Sequence, residues 1–156
     1  IDMKGPKAIR YPKGTEDPLL YGIEASGQEF DLIKGSNGRK NLFITYGREF
    51  SQVLRSRDLM KIEPDILKLN VISPIPEEAV ETAAGYDRVI FAEEAVRSGG
   101  IAERFLDLAS QAGFRGRYVI RAVEDIIQKQ ASVIRQIERN GLDSASLADL
   151  AGEVFS

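Results

Sequence analysis

Strand-type and helix-type segments alternate along most of this chain, and that alternation constrains the fold more than any other feature. Strand-type runs occupy residues 41–46, 66–72, 87–93 and 118–123. Helical segments follow them near residues 48–61, 76–84, 101–112, 131–140 and 144–154. Because a strand, a helix and a second strand in succession form a right-handed parallel unit, this order predicts a parallel sheet with helices on both faces.

One more extended run, at residues 29–34, precedes the alternating part. Asn37 and Gly38 lie between this run and the next, and they form a two-residue turn signal. We therefore expect the two runs to pair as an antiparallel hairpin. Residues 42–44, Leu-Phe-Ile, are apolar on both faces, as in a buried central strand. The prediction is an α/β fold with three layers and a five-stranded, mostly parallel sheet that has one antiparallel edge strand.

Residue types absent from the chain exclude several classes of chemistry. Of 156 residues none is cysteine or histidine, which excludes disulfides, Ser-His-Asp and Cys-His nucleophile systems and imidazole zinc sites. The net charge of -3 lacks the positive excess that is typical of proteins that bind nucleic acid. No apolar run approaches the roughly 18–20 residues of a membrane span. We expect neither nucleic acid nor membrane as a partner, and a cytoplasmic location.

Residues 1–27 differ from the rest in their glycine, proline and charge content. An extended run, Ala8 to Tyr11, is closed by Pro12, and the chain begins with Ile1 rather than methionine. We expect residues 1–27 to be the end of a preceding domain plus a linker, and residues 28–156 to form the main domain. The chain is then expected to be a piece of a longer protein.

Two groups of residues at strand ends allow both a functional and a structural interpretation. The turn of residues 98–100, Ser-Gly-Gly, could bind an anion at a helix N-terminus, or could simply allow a tight turn and close packing. No complete nucleotide-binding motif surrounds it, which favours the second interpretation. Glu93 and Glu94 could form an acid/base or metal site, or make interdomain or capping contacts. Without histidine or a third nearby carboxylate, we favour the contacts.

Arg10 is the candidate binding residue near the start of the chain. It stands on a short, proline-closed extended segment, where a guanidinium fork is oriented for a phosphate or a carboxylate. The residues alone favour a basic linker over a binding residue, although both interpretations stay open at this point.

Several short motifs, in order, resemble those of the 1-deoxy-D-xylulose-5-phosphate synthase family in the transketolase superfamily. Residues 8–14, A-I-R-Y-P-K-G, are similar to its A-[IV]-R-Y-P-[RK]-G run at the junction of the pyrimidine and C-terminal domains. The other matching segments are residues 45–47, 70–79, 91–94, 98–103 and 141–143. Lys13 stands where arginine is commoner, and residues 126–132 lack the histidine-glycine often found in that family.

The resemblance implies the C-terminal, non-catalytic domain of a thiamine-diphosphate-dependent two-carbon transferase. Such an enzyme joins a two-carbon unit from pyruvate to glyceraldehyde 3-phosphate. Thiamine diphosphate and magnesium would be held by the preceding domains, so this piece would have no catalytic, cofactor-binding or metal-binding residue and would be inactive alone. Arg10 would contact the substrate phosphate, and the parent would be a homodimer.

Two other assignments stay open. The same domain occurs in transketolase itself and in the β subunit of 2-oxo-acid dehydrogenases. From a different class, the chain could be a free-standing nucleotide- or flavin-binding module that uses the turn of residues 98–100.

Overall fold

Five strands and five helices form the described part of the chain. The computed structural model describes residues 5, 6, 8, 15, 17–23, 26–36, 38, 40–125 and 127–156. After a short 3₁₀ turn at Pro18–Leu20, the elements are β1 (Phe30–Ile33), β2 (Asn41–Tyr46), α1 (Glu49–Arg57), β3 (Asp65–Leu69), α2 (Glu77–Ala84), β4 (Arg88–Val96), α3 (Ile101–Gln111), β5 (Arg117–Val123), α4 (Val133–Arg139) and α5 (Ser144–Val154).

The five strands form one sheet in the order β1-β3-β2-β4-β5. Strand β2 pairs in parallel with β3 and with β4, and β4 pairs in parallel with β5. Strand β1 pairs antiparallel with β3 at one edge. The predicted fold class, an α/β fold with one antiparallel edge strand on a mostly parallel sheet, is therefore confirmed.

The predicted hairpin between β1 and β2 is wrong. Strand β1 pairs with β3 instead, with Phe30 opposite Leu69 and Ile33 opposite Ile66. Strand β2 is buried and has parallel partners on both sides, so it has no free edge for β1. The chain leaving β1 is also held beside β3, because the Gly35 N–H donates to Asp65 Oδ1 over 2.8 Å.

Helices cover both faces of the sheet and enclose two apolar cores. On one face Leu42 and Ile44 of β2 pack with residues of α2 and α3, including Phe105. On the other face Phe43 packs with residues of α1, α4 and α5, including Leu147. Successive strand residues point to opposite faces, so the fully apolar run in β2 fills both cores.

Element boundaries differ from the sequence-based prediction by a few residues. Helix α1 ends at Arg57 rather than near residue 61, and strand β4 continues to Val96. Pro76 is the N-cap of α2 rather than its first helical residue, and Gly85 follows the helix as expected. No described helix is long and apolar enough to cross a membrane.

Candidate functional site at the carboxyl edge of the sheet

Strands β2 and β4 are neighbours whose following helices diverge. Helix α1 leaves β2 for one face of the sheet, and α3 leaves β4 for the other. This divergence opens a crevice at the carboxyl ends of the two strands, which is where open α/β sheets bind ligands. The side chains at this crevice come from Tyr46, Arg48, Glu49, Glu93 and Glu94.

Glu93 uses its carboxylate to cap helix α3. Its side chain is fully buried. It accepts hydrogen bonds from the N–H groups of Ile101 over 3.0 Å and Ala102 over 3.2 Å, and from the Tyr46 hydroxyl over 3.0 Å. The first helical residues have no partners within the helix, and the positive end of the helix dipole favours a carboxylate there. Glu93 therefore stabilises the start of α3, which agrees with the capping interpretation.

The glycine turn before α3 makes room for this cap. A Cβ atom on Gly100 would lie 3.0 Å from the Val96 carbonyl oxygen and closer still to Glu93 Oε1. Gly99 has φ +76°, which favours glycine. Its N–H donates to Glu103 Oε2 over 2.9 Å. The chain's own carboxylates thus occupy the N–H groups that an anion would use, which supports the close-packing interpretation of this turn.

Burial changes the protonation behaviour of the groups around Glu93. Burial raises the pKa of Glu93, although the hydrogen bonds that it accepts act in the opposite direction. Burial, with the nearby Glu93 carboxylate, also raises the pKa of Tyr46 and of Tyr118 above the ordinary tyrosine value. Tyr118 donates its hydroxyl to the Ala102 carbonyl oxygen over 3.0 Å. Both tyrosines therefore keep their protons at neutral pH and act as hydrogen-bond donors.

Glu94 has a separate partner. It forms a two-pronged ion pair with Arg48, in which Nε donates to Oε2 over 3.0 Å and Nη2 donates to Oε1. Adjacent strand residues point to opposite sides, so the Glu93 and Glu94 side chains diverge. In the described residues no cluster of three acidic side chains could hold a metal ion. Glu93 and Glu94 are therefore engaged by different partners.

Glu49 is a buried carboxyl group that the sequence did not indicate. It lies in the first turn of α1, its side chain is 1% exposed, and neither carboxyl oxygen has a hydrogen-bond partner among the described residues. Burial, followed by the negative charge of Glu94, raises its pKa to about 9. A glutamate in a first helical turn is usually exposed, so the only hint was its place directly after a buried strand.

Arg10 lies outside the described residues, as do Tyr11, Pro12 and Lys13. The described segment that follows is attached to α1. Asp17 accepts from Arg55 Nη2 over 2.5 Å, and Leu20 packs against the core under α1. The assignment of residues 1–27 to a domain end plus linker stays a prediction.

Comparisons with known proteins agree on one family. A family model described as the C-terminal domain of transketolase matches residues 32–146. The chain is 28% identical over 152 residues to 1-deoxy-D-xylulose-5-phosphate synthase of Thermotoga maritima, covering 93% of this chain and 24% of that protein. The synthase of Pseudomonas entomophila is 24% identical over 147 residues, covering 92% and 23%. The chain thus spans about a quarter of the length of these relatives.

Solved structures show the same fold. A split-gene transketolase, described as an inactive beta4 tetramer, superposes with a TM-score of 0.67 at 18% identity, covering 78% of this chain and 42% of that one. Transketolase of Campylobacter jejuni superposes with a TM-score of 0.59 at 14% identity, covering 80% and 18%. The resemblance drawn from the short sequence motifs is confirmed.

Proposed function

Because the chain belongs to the transketolase C-terminal domain family, we propose that it is the non-catalytic C-terminal domain of a thiamine-diphosphate-dependent two-carbon transferase. The parent enzyme proposed here condenses pyruvate with glyceraldehyde 3-phosphate to 1-deoxy-D-xylulose 5-phosphate. The relatives that match along nearly the whole chain carry the synthase name. The observation that carries the non-catalytic role is the carboxyl-edge crevice, where Glu93 is already bound to Tyr46 and to the start of α3, and Glu94 is already bound to Arg48.

Thiamine diphosphate does not fit the described residues of this crevice. A diphosphate–metal group needs free N–H donors and converging oxygen ligands. The N–H groups of Ile101 and Ala102 are bound to Glu93, and Glu94 is bound to Arg48. We therefore propose that the preceding parts of the parent hold the cofactor and magnesium and carry out the chemistry.

We further propose that Arg10 binds the phosphate of the acceptor substrate in the parent. The support is its place in the A-I-R-Y-P-K-G run, together with the attachment of Asp17 and Leu20 to α1 just downstream. A guanidinium fork can donate two charge-assisted hydrogen bonds to one phosphate. The other partners proposed are the preceding domains and a second copy of the parent. A cytoplasmic location remains a prediction.

Kinetics of the full-length parent test the role of Arg10. Replacing Arg10 by alanine removes about 1.5–3 kcal/mol of binding, so KM for the phosphorylated acceptor should rise roughly 10- to 150-fold. Arg10→Lys should recover part of the loss, because a point charge lacks the two-pronged geometry. Arg104→Ala is the matched control, since Arg104 is exposed on α3 and pairs with Asp107. Unchanged KM and kcat in Arg10→Ala would identify this segment as a basic linker.

Transketolase itself is the second candidate for the parent, because the solved structures that share this fold are transketolases. Acceptor and donor specificity of the parent separates the two: the synthase requires pyruvate and releases carbon dioxide, whereas transketolase moves a two-carbon unit between sugars. The nucleotide- or flavin-binding alternative is tested by mass spectrometry of small molecules that co-purify with the chain.

A further inference from the structure

We propose that a pocket at the carboxyl end of β5 binds the phosphoryl group of a small phosphorylated polyol. The pocket has a volume of about 290 Å³, and neither Arg48 nor Glu94 lines it. Three arginines from separate segments of the chain line it. Arg97 follows β4, Arg121 belongs to β5, and Arg139 is in the last turn of α4.

Arg121 is the central group of this pocket. Residues two apart along a strand point to the same face, so Arg121 lies on the same face of β5 as Val119 and Val123. Those two valines pack against the core under α4 and α5. Its Nε is buried and has no hydrogen-bond partner among the described residues. A buried donor on a cation is costly unless an acceptor satisfies it. An anionic ligand beside the terminal nitrogens of Arg121 would offset the cost of partly burying this cation.

The position of the Arg121 guanidinium is fixed by the turn between α4 and α5. A Cβ atom on Gly141 would lie 3.2 Å from Arg121 Nη1 and 3.5 Å from its Cζ. Gly141 also has φ +64°, so a side chain there would be strained as well as crowded. The absence of a side chain at Gly141 thus lets the Arg121 guanidinium lie close to this turn.

Arg97 and Arg139 supply the other two positive charges. The backbone N–H of Arg97 donates to the Val123 carbonyl oxygen over 2.9 Å, which holds the residue beside the end of β5. Both side chains are exposed, and neither forms an ion pair with another described residue. A pocket lined by three arginines suits a group with three terminal oxygens. A phosphoryl group has three, whereas a carboxylate has two.

Glu124 and Glu138 indicate that the ligand also carries hydroxyl groups. Both line the same pocket, are exposed, and form no ion pair with its arginines. Carboxylates repel a bare phosphate dianion, but they accept hydrogen bonds from neighbouring hydroxyls. A phosphate ester of a polyol satisfies both sets of groups, so it should bind more tightly than inorganic phosphate.

Nuclear magnetic resonance of the arginine side chains tests this proposal on the 156-residue chain. Glycerol 3-phosphate, inorganic phosphate and acetate are titrated separately into ¹⁵N-labelled protein at constant ionic strength, and the Nε–H resonances are followed. Glycerol 3-phosphate should shift the Arg121 resonance along a saturating curve, with a Kd on the order of 1 mM. Inorganic phosphate should bind more weakly, and acetate should give no saturable shift.

Variants make the test specific. Arg121→Gln should weaken glycerol 3-phosphate binding by about tenfold or more, read on the Arg97 and Arg139 resonances. Arg97→Gln changes only an exposed residue, so it should fold normally and weaken binding by a factor of about three or more. Arg104→Gln should bind like the wild type. Linear shifts that are the same for all three anions, acetate binding as tight as phosphate, or undiminished binding in both pocket variants would each overturn the proposal.

Discussion

The buried carboxyl group of Glu49 should make the stability of this domain depend strongly on pH. Its side chain is 1% exposed, and burial together with the charge of Glu94 raises its pKa to about 9, compared with an ordinary value of 4.5. The folded state therefore keeps a proton on Glu49 at neutral pH, whereas the unfolded state has released it. Folding at pH 7 requires proton uptake at this residue.

The sign and size of the effect follow from this difference. Because the pKa is raised in the folded state, the full stability is present below pH 4.5 and falls as the pH rises towards 9. The slope approaches about 1.4 kcal/mol per pH unit. Between pH 5 and pH 8 the free energy of unfolding should fall by about 4 kcal/mol through this residue alone. That is a large part of the roughly 5–15 kcal/mol that stabilises a typical domain.

Replacement of Glu49 by glutamine removes the titrating group and keeps its shape. The Glu49→Gln variant should resemble the wild type at pH 5, within about 1 kcal/mol. At pH 8 it should be more stable than the wild type by about 4 kcal/mol. Glu93 also has a raised pKa, but it is present in both proteins, so its contribution cancels in the difference.

Urea unfolding followed by circular dichroism at pH 5, 6, 7 and 8 measures this difference. Glu153→Gln is the matched control, because Glu153 is exposed on α5 and should give a curve parallel to that of the wild type. A difference between Glu49→Gln and wild type that stayed constant from pH 5 to pH 8 would refute the reasoning. It would mean that Glu49 is already ionised in the folded protein.

Two further outcomes follow from the packing. Gly100→Ala should destabilise the domain by about 1–3 kcal/mol, because the added Cβ displaces the Glu93 carboxylate from the start of α3. Gly152→Ala is the matched control on α5, where the added Cβ meets open space. A thermal melt should show the Gly152→Ala variant unchanged or slightly stabilised. Equal melting temperatures for the two variants would argue against the close-packed turn. The 156-residue chain should also unfold in a single cooperative thermal transition, since it encloses two continuous cores around one sheet. A broad melt would indicate that it needs other domains in order to fold.

The alternation of strands and helices could be predicted because a strand that is buried on both faces is a short run of consecutive apolar residues, which is visible in the sequence. The hairpin prediction failed because the turn signal at Asn37 and Gly38 is local, whereas the partner of β1 is decided by β2, which is paired on both sides. The Glu93 cap was foreseen as one alternative, because a strand end, a glycine pair and a helix start follow one another within a few residues.

The burial of Glu49 and the arginine pocket could not be predicted in this way. Glu49 is buried by contacts with elements far away in the sequence, and its pKa depends on Glu94 and Asp143 as well as on burial. Arg97, Arg121 and Arg139 are separated in the sequence and meet only because α4 folds back beside the end of β5. Charge and periodicity within a short window carry no information about such contacts.

Titration calorimetry with thiamine diphosphate and magnesium tests the central claim most directly. The claim is that Glu93 and Glu94 at the carboxyl edge are bound to other groups of this domain, and that the preceding parts of the parent hold the cofactor. The 156-residue chain should show no binding with a Kd below about 10 μM, in magnesium alone or with thiamine diphosphate added. A tighter Kd, equivalent to a binding free energy beyond about −7 kcal/mol, would contradict the account and place the cofactor in this domain.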